Sequence, residues 1–165
     1  MKSHLYFVCP TDQLETVINA SFKHKNYFFT SLGDSVEFDI IVMEQLNDLL
    51  LTRNIQEISF VLSDDNRIVV DALKSRGFGG LKWLDDFYNQ IVGHKNNSKT
   101  LWQTQDDQDL ILSYYLKNKV EELRTGLNNL FVNQLEINGK IYKHKENVFK
   151  DIYSGLVCLE PFNLN

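Results

Sequence analysis

The sequence predicts an α/β fold: a mostly parallel sheet flanked by helices, with a C-terminal β-ribbon, in a single domain covering residues 1–165. Three observations lead there. Short aromatic and β-branched runs ("HLYFVC", "NYFFTS", "QEISFVLS") alternate with longer segments of helical period, and helix-length crossovers imply parallel strands. A hydrophobic share of 43% and a charged share of 24% are those of an ordinary globular domain. Asn138-Gly139 then sits between two short apolar runs near the C-terminus, which is a hairpin signal.

In order, a buried strand is expected at 4–9 and a helix from "PTDQLETVINASF", with Thr11 as N-cap and Leu14, Val17, Ile18 and Phe22 on one face. A second strand follows at 26–31. The turn "LGDS" (32–35) is read as capping a helix that starts at Val36, with Val36, Ile40, Met43, Leu46 and Leu50 as its buried stripe. Strand three is expected at 56–63, and "DNRIVVDALKSRGF" as a helix ending near Gly77. "GGLKWLDDFYNQIVGHKNNS" reads as a further helix and a polar loop. The longest helix carries Leu112, Leu116, Val120, Leu123, Leu127 and Leu130, with Gly126 as a weak point or a close-packing site. "QLEINGKIYKHK" is expected to be two strands turning at Asn138-Gly139. The tail from Glu146 has no firm assignment.

Bulk properties narrow the function classes. A net charge of −5 gives no steering toward nucleic acid. The apolar opening is short and closed by Pro10, unlike a signal peptide, and no stretch has the length to span a bilayer. Cys9 and Cys158 form no paired motif, so a reducing cytoplasm is the expected compartment.

In a parallel sheet, ligands bind outside the carboxyl ends of the strands. That places "VCPTDQ", "TSLGDS" and "LSDDN" on one edge. Asp64, Asp65 and Asn66 are a candidate oxygen site for a hard cation such as Mg²⁺, to which Cys9 would add a poorly matched soft thiolate. The favoured reading is plainer: Ser63 or Asp64 caps the next helix and the carboxylates complement its positive end. Asp12 and Asp34 are likewise read as helix-start residues. Cys9, at a strand end before a helix, is a candidate reactive thiol, but His4, His24, His94 and His144 all fall away from the three segments, and a buried structural cysteine is the commoner fate. Gly33 in "SLGDS" is a candidate cradle for a small anion, against a capping turn. "GFGGLKW" reads as a helix end before a core tryptophan, "GHKNNSK" as a solvated loop, and the lysines of "KIYKHKENVFK" as the outer face of the ribbon, or a patch for an acidic partner.

The trio of strand ends resembles the β-class carbonic anhydrases. There the first strand ends in Cys-x-Asp-x-Arg and the third in His-x-x-Cys. Cys, His and Cys bind zinc, and the Asp–Arg pair organises the fourth position of the metal. The segment "LKNKVEELRTGLNNLFVNQLEINGKIYKHKENVF" is similar in order and spacing to the closing part of those enzymes. Aligned this way, Cys9 stands at the first zinc cysteine, Thr11 at the Asp, Gln13 at the Arg, Ser63 at the His and Asn66 at the second Cys. The resemblance implies the fold and a homodimer. It does not carry over the activity, since catalytic zinc needs three protein ligands, and losing two should remove most of the roughly 10–16 kcal/mol of a full structural site.

The expectation is therefore a noncatalytic, carbonic-anhydrase-like protein with no cofactor and no metal, binding a small ligand or anion at the strand edge through Cys9, Thr11, Gln13, Gly33, Ser63, Asp64, Asp65 and Asn66. Two other classes stay open: an enzyme of different chemistry using Asp64, Asp65 and Cys9, and an interaction module that dimerises or docks a partner through the first or the long helix and the ribbon.

Overall fold

The computed structural model describes residues 2–73, 105–127 and 135–152. The helix and loop expected at 79–99, the end of the third helix, Leu130, His94, Cys158 and the tail beyond Ile152 lie outside these residues. Elements run β1 (Ser3–Val8), α1 (Leu14–Ser21), β2 (Lys25–Thr30), a 3-10 turn (Leu32–Asp34), α2 (Ile40–Arg53), β3 (Ile55–Ser63), α3 (Arg67–Leu73), α4 (Gln105–Gly126), β4 (Glu136–Lys143) and β5 (Val148–Asp151).

The five strands form one sheet in the order β2-β1-β3-β4-β5. The first four are parallel and β5 runs antiparallel to β4. β1 is buried along its whole length and so is most of β3, because both are inner strands covered on both faces. One face, bearing Leu5, Phe7, Ile58, Phe60 and Leu62, packs against Met43, Leu46 and Leu50 of α2 and Leu112, Tyr115, Leu116 and Leu123 of α4. The other face puts Tyr6, Val8, Val61 and Tyr142 under Leu14 and Ile18 of α1. Full burial of one such Phe or Leu side chain contributes about 1.5–3 kcal/mol, so these two clusters hold the sheet ends in place. Among the described residues no helix is long and apolar enough to cross a membrane.

Three local expectations are corrected. Asn138-Gly139 is no hairpin turn: β4 runs straight through it. The Asn138 amide is taken up by Ser59 and Glu57 of the neighbouring strand, and a Cβ on Gly139 would lie 2.9 Å from Ile152 and 3.2 Å from Leu116. The glycine permits close packing; the turn lies at 144–147, with Asn147 in the left-handed region at φ 54°. The second helix starts at Ile40, not Val36, because the Asp39 carboxylate accepts the Val42 N–H at 2.8 Å and fixes the cap there. Its stripe shrinks to Met43, Leu46 and Leu50, leaving Ile40 exposed. Finally, three of the four ribbon lysines are paired, Lys140 with Asp151, Lys150 with Glu146 and the buried Lys143 with Asp109, which leaves Lys145 alone as an exposed cation of that segment without an ion pair among the described residues. Gly126 is the close-packing site, lying against the Met43 thioether.

Candidate functional site

The carboxyl ends of β1, β2 and β3 converge as the topology requires. The Ser31 N–H reaches the Val8 carbonyl at 3.1 Å, which brings the 3-10 turn across the end of β1. Gly33 donates its N–H to the Cys9 sulfur at 3.1 Å, and the Thr11 hydroxyl lies 3.0 Å from the same sulfur. Cys9 is fully buried. Gly33 sits in the left-handed region at φ 61°, where the absence of a Cβ lets the turn close onto the thiol.

From β3, the Ser63 N–H donates to Asp12 Oδ2 at 2.8 Å, and Asn66 Nδ2 donates to Asp12 Oδ1 at 2.7 Å. The other end of the Asn66 amide accepts the Val69 N–H at 3.0 Å. Asn66 is therefore the N-cap of α3, in place of the Ser63 or Asp64 that the sequence suggested. The Ser63 hydroxyl instead donates to Asp65. Asp64 looks the other way: its carboxylate accepts the His144 N–H at 3.1 Å and lies 3.5 Å from Lys143 Nζ. Lys143 is buried and also holds Asp109 of α4. Burial alone would push its ammonium down, but the bond and charge of Asp109, with Asp64, hold it above its usual range. His144, expected far from the strand-end segments, thus has its main chain against one of them.

Of the sequence-predicted residues, Cys9, Thr11, Gly33, Ser63 and Asn66 come together around one residue omitted from that set, Asp12. Gln13 does not join them. It is exposed, takes a left-handed φ of 53° at the start of α1 and makes no side-chain cap bond; Thr11, turned to Cys9, is not the cap either. Burial pushes the Asp12 carboxyl up to about 6, against the bonds from Ser63 and Asn66. Asp34 is the second residue missed. It is completely buried, no side chain among the described residues bonds its carboxylate, the Val61 main chain is a weak polar neighbour, and its φ is 55°. Burial first, and the charge of Asp12 second, hold it well above the ordinary range. A neutral carboxyl is the physical outcome for such a group. The signal for both was in the sequence, one acid after each of the first two strand ends, but helix-start acids are too common to stand out.

The edge therefore carries the carboxylates of Asp12, Asp64 and Asp65 beside a neutral Asp34, and Lys143 is already matched by Asp64 and Asp109, a setting that opposes a small anion. A zinc ion fits it no better. Cys9 is the only N/S donor among the aligned ligand positions, both ends of the Asn66 amide are committed, and the Ser63 hydroxyl is bonded to Asp65. No group of three His, Cys, Asp or Glu among the described residues is placed to hold a metal.

At the opposite end of the sheet, His4 Nε2 lies 3.0 Å from Ser59 Oγ and Nδ1 lies 3.5 Å from Glu57, an arrangement with the outline of a nucleophile, base and carboxylate. Ser59 is inaccessible in mid-strand and its hydroxyl donates to Asn138. No substrate reaches it, so this is a buried polar tie between β1, β3 and β4.

Architecture and strand-end geometry together define the class: this is the fold of the β-carbonic anhydrases. CafD of Aspergillus fumigatus superposes with a TM-score of 0.69 at 16% identity, over 93% of this chain and 90% of that one. A tetrameric β-carbonic anhydrase of Sordaria macrospora gives 0.72 at 15% identity, over 94% and 83%, and the Coccomyxa enzyme, in complex with acetazolamide, gives 0.66 at 14%, over 92% and 72%. No protein-family model matches the sequence, and no curated protein is significantly similar to it in sequence.

Proposed function

We propose that this chain is a noncatalytic protein on the β-carbonic anhydrase scaffold, in which a hydrogen-bonded cluster stands where the fold family keeps zinc. The observation that carries the reading is the Asp12–Asn66 bond at 2.7 Å. It joins the first strand end to the position aligned with a zinc cysteine and turns the Asn66 NH₂ to Asp12 while its oxygen caps α3, so a hydrogen-bonded amide stands where a thiolate ligand would be. The Asp12 carboxylate, gripping Ser63 N–H and Asn66 Nδ2, does as a structural clamp what a metal does for its ligand loops. Assembly into a homodimer belongs to the same reading, supported by the tetrameric state of the Sordaria macrospora structures.

The test is elemental analysis of the purified protein together with a CO₂ hydration assay. The expected result is zinc well below one per chain and hydration at the buffer rate. One zinc per chain with hydration abolished by chelation would sink the proposal. An enzyme built on Asp64, Asp65 and Cys9 has no comparable support: the three bond to separate partners, namely the His144 main chain with Lys143, the Ser63 hydroxyl, and the Gly33 main chain.

A further inference from the structure

The start of α2 has no part in the strand-end cluster. Ile40 and Ile41 are 77% and 64% exposed, side by side in the first turn of a helix whose next turns are core. Consecutive β-branched residues in that position gain little for the helix and cost solvation of apolar surface. Ile40 lies less than one turn before Met43, the residue that packs on Gly126 of α4. Two residues before Ile40, Phe38 lines an open groove of about 760 Å³ whose other wall is α4, through Asn118, Glu121, Glu122, Thr125 and Gly126.

Charge says what fits. Between Lys25 and Arg53 the chain has no lysine, arginine or histidine but five acids. Asp34 is buried; Glu37, Asp39, Glu44 and Asp48 are exposed. Glu44 follows Ile40 by one helical turn, so it stands beside the isoleucine pair. Among the described residues, Lys119 and Arg124 of α4 are committed elsewhere. Lys119 turns inward to the Val36 carbonyl at 3.3 Å and to Glu122, and Arg124 holds Glu121 and the Ile137 carbonyl. A second copy docking by a two-fold axis through this face would set Glu37, Asp39 and Glu44 against themselves.

We infer that the Ile40–Ile41 knuckle and its groove are a docking surface for a partner protein that offers an aliphatic helix face edged by lysine or arginine. The isoleucines supply the apolar contact, and Glu37 and Glu44 set orientation and reject acidic segments.

The probe is a fluorescein-labelled synthetic helix of leucine and lysine, apolar on one face, titrated with the full chain by fluorescence anisotropy. Controls are the same composition with its leucines scattered, and a leucine–glutamate helix. The wild-type chain is expected to bind the amphipathic lysine helix at least about tenfold more tightly than either control, and more weakly as salt rises. Ile40→Ser with Ile41→Ser, both exposed and therefore compatible with folding, should lose about tenfold or more. Glu37→Lys with Glu44→Lys should reverse the preference toward the glutamate helix. Equal binding of scattered and amphipathic helices, or binding that neither pair of substitutions changes, overturns the inference. So does light scattering that shows a dimer dissociated by the isoleucine substitutions, since the occupant is then a second copy.

Discussion

Asp12, Asp34 and His4 are the residues whose protonation the fold alters most informatively, and they pull in opposite directions. The Asp12 carboxyl, raised from 3.8 to about 6, makes the folded chain hold more protons than the unfolded one across that window. Its contribution is complete at low pH and is lost as pH rises through 6. Asp34, raised well above 3.8, has the same sign. His4 is lowered from 6.5 to about 4, by burial first and then by the charges of His24 and Lys140; there the unfolded chain holds more protons, and stability falls as pH drops through the window. His4→Gln should therefore steepen the decline of stability with rising pH between 4 and 6.5, and Asp34→Asn should flatten it. Urea midpoints across that range are the measurement. A slope unchanged by either substitution would show these groups to be solvated in the folded chain.

The element that locks the site edge is β4, through Lys143. Its ammonium ties the β3–α3 loop at Asp64 to α4 at Asp109, with all three side chains at most 12% exposed. Lys143→Met should cost about 3–5 kcal/mol, because two carboxylates lose their cation in a dry setting, and the triple change with Asp64→Asn and Asp109→Asn should recover part of it. A loss under about 1 kcal/mol would mean that water already solvates the pair. The same strand shows how far sequence patterns reach. Its apolar alternation was readable, but Asn138-Gly139 pointed to a turn because the dipeptide is favoured for local reasons. Ile152 and Leu116, which need the missing Cβ, are distant in sequence, so no local signal announces them.

For the whole molecule, the proposed loss of zinc chemistry is a matter of side chains on an intact scaffold. Replacing Thr11→Asp, Gln13→Arg, Ser63→His and Asn66→Cys together should bring zinc to about one per chain and raise stability by roughly 3 kcal/mol at a hundredfold excess of zinc over its dissociation constant. Elemental analysis and a thermal melt check it. A variant that folds but takes up no zinc would mean that the strand ends no longer hold ligand spacing, and that the remodelling goes deeper than four residues.

The sequence by itself determined the α/β class, the first three strands to within one residue, and the edge where they meet, because period and crossover length are local properties with one topological solution. It also pointed to the replaced ligand positions. Only the tertiary structure decided what occupies them. Asp12 clamps Ser63 and Asn66, Asn66 caps α3, and Asp34 is sealed from water. Each depends on which distant segments share one volume and on the dielectric there, which sets the protonation of the buried acids. The exposure of Ile40 was likewise hidden, because the cap at Asp39 turns the first helical residues outward and removes them from the core stripe.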